Sequence, residues 1–121
     1  MILVDTSVWI DHFRKSEPGL VDALETESAL THPLVIGELA CGNLRNRAEI
    51  LELIARLPRP PIASDAEALE LIDRHKLNSK GIGYVDVHLL ASTLLMPEAR
   101  LWTRDRRLAS VASELRISFK D

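Results

Sequence analysis

The thirteen residues from Tyr84 to Met96, YVDVHLLASTLLM, constrain the fold more than any other stretch of the chain. Read as a helix closed by Pro97, they are apolar almost all the way round, and a helix with no polar face has to be covered on every side. The rest of the sequence supplies the covering layers as short aliphatic runs alternating with helical patterns. Met1 to Val4 reads as a strand buried on both faces, Arg100 to Thr103 as a second and Leu115 to Phe119 as the last, with Ser28 to Thr31 and the Ile62–Ala63 pair as weaker candidates. Helices are expected from a Thr6 or Ser7 cap to about Arg14, from Leu20 to Glu25, from Pro33 to a stop at Gly42, and from Arg47 to Leu57. Ser64, with Glu67 three residues on, has the pattern of a capping box and opens a helix to His75; Arg106 to Glu114 forms another. Strands alternating with helices imply an α/β fold of three layers, with a mainly parallel central sheet flanked by helices.

At 121 residues the chain is expected to form a single domain over 1–121. Its 46% hydrophobic and 27% charged content excludes wholesale disorder, and only 4% aromatic content argues against a base-stacking surface. A single cysteine, Cys41, excludes an internal disulfide framework or a cysteine-based zinc cluster, and is expected to be a small buried hydrophobe. No apolar stretch approaches the roughly 18 residues of a membrane span, and the apolar start is interrupted by Asp5 without a basic region before it, so a cytosolic protein is expected. A formal net charge of −3 opposes whole-surface attraction to nucleic acid but permits a local basic rim.

Most acidic residues lie among polar neighbours. Asp5 ends MILVD, Glu38 lies within LVIGELA, Asp86 within YVDVHLLA, and Asp105 follows LWTR, each in or just after an element expected to be buried. An ionised carboxylate in a low-dielectric interior must be paired, protonated or bound to a metal, and MILVD, LVIGELA and YVDVHLLA contain no Lys or Arg. Gathering the four around Mg²⁺ or Mn²⁺ resolves the conflict with oxygen ligands alone. If the first strand and the LWT strand are neighbours, Asp5 and Asp105 reach one sheet edge, where open parallel sheets bind ligands. Thr6, Ser7 and Thr103 lie within two residues of Asp5 or Asp105, placed to orient a carboxylate or simply to cap a helix. Four acids around such a cation suit hydrolysis of a phosphodiester.

With those residues in view, MILVDTSVWID, VIGELACG, GYVDVHLLAS and LWTRDRRLASVA resemble the four acidic motifs of the PIN-domain ribonucleases, and most closely the VapC-type toxins of toxin–antitoxin pairs. The similarity runs from the first strand to the last helix. It implies that Asp5, Glu38, Asp86 and Asp105 are the catalytic, metal-binding set, with Asp5 and Asp86 as direct ligands and Thr103 as the hydroxyl of the last motif. It also implies a PIN-like fold, cleavage of RNA, a homodimer, and a cognate VapB-like antitoxin that covers the active site.

Arg104, Arg106 and Arg107 flank Asp105, and Arg45 and Arg47 follow Gly42; they are candidate RNA contacts or ordinary surface charges. His12, His32, His75 and His88 show no metal-ligand spacing, and His88 falls about 200° round its helix from Asp86. Trp9 and Trp102 read as core or dimer interface, and Gly37 as a close-packing position or a tolerated one. Rival readings are a phosphoaspartate protein, disfavoured by Ser7 where a dehalogenase-type motif wants an acid, and a PIN-like binding module without nuclease activity.

Overall fold

The computed structural model describes residues 1–120. Strand β1 (Ile2–Val4) leads into α1 (Thr6–Arg14) and α2 (Pro18–Glu25), then β2 (Ala29–Leu30), α3 (Pro33–Cys41), α4 (Arg47–Ala55), α5 (Asp65–His75), α6 (Tyr84–Leu94), β3 (Arg100–Trp102) and α7 (Arg106–Glu114). The strands form a parallel sheet in the order β2-β1-β3, with Leu3 opposite both Leu30 and Leu101. The sheet is therefore α/β and parallel, as the alternating pattern implies, and β1 and β3 are neighbours.

Aliphatic side chains dictate this arrangement. Leu3, Val4, Leu30, Leu89, Leu90 and Leu101 are completely or almost completely buried, and each such side chain contributes roughly 1.5–3 kcal/mol by leaving water. Helix α6 is buried from Val87 through Thr93, as its uniform hydrophobicity requires. Trp9 and Trp102 belong to the core, and the Trp102 ring packs 4.9 Å from that of Phe119.

Other expectations are corrected. Leu115 to Phe119 does not continue as a strand: a parallel bridge joins Ser118 to Leu101, with the Leu101 N–H donating to Ile117 O and the Phe119 N–H to Leu101 O. Ile62 and Ala63 form no strand, because the Ala63 N–H is taken by Ser92 Oγ at 3.1 Å. Helix α2 begins two residues early because Pro18, with its fixed φ, suits the first turn. Cys41 is exposed at the end of α3, not buried. Of the two readings of Gly37, the tolerated glycine is the one that holds, since an added Cβ would meet nothing within 4 Å. The Ser64 capping box forms in full. Among the described residues no helix is long and apolar enough to cross a membrane.

Candidate active site

Asp5 follows β1 directly, and its N–H donates to Trp102 O at 2.9 Å, so the ends of β1 and β3 lie level. It is the residue before α1, with extended backbone, yet its side chain makes no capping hydrogen bond. Thr6 and Ser7 are accordingly the first residues of the helix instead of its cap. Ser7 Oγ donates to Asp5 Oδ2 at 2.8 Å, and Thr103 Oγ1 donates to the same oxygen at 2.7 Å. Backbone amides hold both hydroxyls in turn: the Arg104 N–H donates to Ser7 Oγ and the Asp105 N–H to Thr103 Oγ1. The Asp5 carboxylate is 6% exposed and is fixed by the ends of both strands.

The other acids arrive on three separate helices. Asp105 caps α7, accepting from the Arg107 and Leu108 N–H groups through Oδ1 at 3.0 Å each. Asp86, in the first turn of α6, accepts from the Gly83 N–H through Oδ2 at 3.0 Å. Glu38 on α3 accepts from Thr6 Oγ1 through Oε1 at 2.6 Å. Burial pushes the Asp86 carboxyl above its ordinary range; the Gly83 N–H opposes this, and the charges of Asp5, Asp105 and Glu38 push it further up. The four groups thus share one electrostatic field, although their burial differs: Asp5 is buried, Asp86 is half-buried, and Glu38 and Asp105 are exposed. The expectation that all four carboxylates lie in a low-dielectric interior is therefore corrected for Glu38 and Asp105. Helix α3 buries Val35 and Leu39 while turning Glu38 outward.

In each of these carboxylates protein donors anchor one oxygen and, among the described residues, leave the other without a hydrogen bond: Asp5 Oδ1, Glu38 Oε2, Asp86 Oδ1 and Asp105 Oδ2. Oxygen-only donors of this kind match a hard divalent cation. Among the described residues no three His, Cys, Asp or Glu side chains are drawn together as a closed ligand group, so the acids share a field without forming a ready cage.

The arginines differ in their surroundings. Arg104 bridges Asp11 at 3.0 Å and Glu17 at 2.8 Å, with its guanidinium 5.7 Å above the centre of the Trp102 ring. Arg47 donates to Ala40 O at 2.9 Å and so caps the end of α3. Arg107 lies over Gly81. Arg45 and Arg14 line a cavity of about 430 Å³ that also takes in Glu38 and has Ile10, Phe13 and Leu44 among its apolar lining. Nothing in the sequence marks Arg14, an arginine that ends an amphipathic helix. His32, which shows no metal-ligand spacing in the sequence, caps α3 through Nδ1 and reaches Ser92 through Nε2.

A family model described as the PIN domain matches residues 2–114. Ribonuclease VapC32 of Mycobacterium tuberculosis, in strain CDC 1551 / Oshkosh and in strain ATCC 25618 / H37Rv, is 45% identical over 121 residues, covering 100% of this chain and 98% of the relative. With the match spanning all the strands and helices that carry the four acids, the chain belongs to the PIN-domain family.

Proposed function

We propose that the chain is a Mg²⁺- or Mn²⁺-dependent endoribonuclease and the toxin of a type II toxin–antitoxin pair, acting in the cytoplasm as a homodimer and restrained by a VapB-like antitoxin. The observation that carries the reading is the pattern of half-used carboxylates at Asp5, Glu38, Asp86 and Asp105. The chain's likeness to a protein named a ribonuclease supports the choice of RNA.

Asp5 and Asp86 would hold the cation, with Glu38 and Asp105 completing its surroundings directly or through water. When bound, it supplies a positive charge that polarises a phosphoryl oxygen and lowers the pKa of a neighbouring water. The chain's own residues do the rest. Ser7 and Thr103 donate their protons to Asp5 Oδ2, which fixes the carboxylate and leaves Oδ1 for the cation. Thr6 does the same for Glu38. A carboxylate accepts the proton of the attacking water as its oxygen bonds to phosphorus and the leaving oxygen departs. Arg45, Arg106 and Arg107 meet the phosphates on either side; Arg104 and Arg47 act first as internal struts, through Asp11, Glu17 and Ala40.

The test uses the chain purified free of antitoxin, incubated with structured RNA with and without Mg²⁺ or Mn²⁺ beside Asp5→Asn. Cleavage that requires the metal and falls at least about 100-fold in the variant is expected for loss of a metal ligand. Metal-independent cleavage, or equal activity in Asp5→Asn, overturns it. Metal-supported folding without cleavage of any RNA points to the binding module.

A further inference from the structure

Asp86 occupies the part of α6 that the helix holds least well. The first four N–H groups of a helix have no partner within it, and the turn they belong to is the first to fray. Here that turn follows a loop whose Ser79 and Gly81 both have φ in the left-handed region, 70° and 78°. The charges of Asp5, Asp105 and Glu38 all act on Asp86.

Behind Asp86 the same turn is clasped. Asp65 Oδ1 accepts from Tyr84 Oη at 2.7 Å and faces His88 Nε2 at 3.0 Å. Tyr84 and His88 stand one helical turn apart, and their rings meet edge to face with centroids 4.7 Å apart. Asp65 is the first residue of α5, whose start is locked by hydrogen bonds in both directions between Ser64 and Glu67. The Asp65 side chain is 80% exposed, so it adds nothing to the core, and Tyr84 is itself 44% exposed. Neither is kept in place by burial. What fixes them is one carboxylate oxygen shared by two donors on successive turns of α6, backed by a helix end that cannot swing.

We propose that Asp65, acting through Tyr84 and His88, is a positioning residue for Asp86: the clasp pins the first turn of α6 and holds the open Asp86 oxygen toward the other three acids. The role in cation binding rests on the nuclease reading above; the pinning of the turn does not. Asp65 bonds to Tyr84 and His88, each about 200° round α6 from Asp86, so it works from the opposite face of the helix.

Mn²⁺ titrated into the full chain, followed by calorimetry, and hydrogen exchange of the Val87 amide, which bonds to Gly83 O at 3.1 Å, test it together. Asp65→Ala is expected to weaken Mn²⁺ binding about tenfold, to lower kcat on RNA by a similar factor with KM unchanged, and to speed Val87 exchange. Asp65→Asn, whose amide oxygen still accepts both hydrogens, restores most of each. Tyr84→Phe, which removes a single hydroxyl, shows the same changes at smaller size and serves if Asp65→Ala folds poorly. Wild-type Mn²⁺ affinity and Val87 exchange in Asp65→Ala would overturn the proposal, as would failure of Asp65→Asn to rescue. Should the wild-type chain bind no Mn²⁺ and cut no RNA, the nuclease reading falls and with it the cation role, while faster Val87 exchange in Asp65→Ala would still establish the clasp.

Discussion

Thr103 Oγ1 donates to Asp5 Oδ2 across 2.7 Å, joining the end of β3 to the end of β1 at the point where Val4 and Trp102 lie in register. The same hydroxyl accepts from the Asp105 N–H, so one side chain sets the direction of Asp5 and the start of α7 together. Replacing it with valine keeps the shape and removes both hydrogen bonds. Thr103→Val is expected to lower kcat on RNA by about 10–100-fold, the usual effect of deleting a group that orients a metal ligand, and Thr103→Ser to recover most of it. Steady-state kinetics on the three proteins decide the point, and a Thr103→Ser variant no better than Thr103→Val would show that the methyl group mattered instead.

Asp86 illustrates a conflict between stability and activity. Its carboxyl is raised by burial first, against the Gly83 N–H, and then by Asp5, Asp105 and Glu38. A folded-state pKa above the unfolded value means that the native state binds more protons, so the ionised group costs stability at pH above the unfolded pKa and the cost fades as pH falls. Asp86→Asn keeps an acceptor for the Gly83 N–H and removes the charge. In metal-free buffer at pH 7 the variant is expected to melt a few degrees above wild type, while its activity is lost. The gain should shrink at pH 4, and calorimetric scans at the two pH values measure it.

The parts of this molecule legible in its sequence are those governed by local rules. The Ser64–Glu67 box, the buried α6 and the strand that ends at Val4 follow from capping chemistry and hydrophobic pattern, and the resemblance of four short motifs located the acids. What escaped is non-local. Nothing near residue 38 shows that Thr6 will donate to Glu38, and nothing near residue 65 shows that one acid will collect Tyr84 and His88. The 115–119 segment has strand-forming residues, but only its backbone contacts with Leu101 join it to the sheet. Pattern identifies which residues are unusual; only the packed structure shows which oxygen of each acid is already occupied.

Gly81 has φ 78°, and a Cβ there would come within 2.6 Å of Arg107 Cδ. Both conditions oppose a side chain, but the arginine is flexible and can move aside, leaving the backbone cost as the firm part. Gly81→Ala is expected to lose about 1 kcal/mol of stability by urea denaturation and to displace Arg107 from the loop before α6. Unchanged stability would show that the loop relaxes freely at this position.

His32 is buried, 1% exposed, and its two ring nitrogens are both engaged: the Leu34 N–H donates to Nδ1, and Nε2 lies 3.2 Å from Ser92 Oγ, which also accepts from the Ala63 N–H. With Nδ1 accepting, the ring proton sits on Nε2 and the imidazole is neutral. Burial, then the charges of His88 and Arg59, lower its pKa from 6.5 to about 4. A depressed histidine pKa means that the unfolded chain binds more protons between those values, so this contribution to stability is complete above pH 6.5 and is lost as pH falls toward 4. The loss amounts to about 3 kcal/mol at one pKa unit per 1.36 kcal/mol. His32→Asn can still accept from the Leu34 N–H as a helix cap but does not titrate. At pH 7 the variant is expected to be the less stable protein, because Ser92 loses its partner; its deficit should narrow steadily between pH 6.5 and 4 in urea denaturation. A deficit that stays constant across that window would place the acid sensitivity of the fold elsewhere.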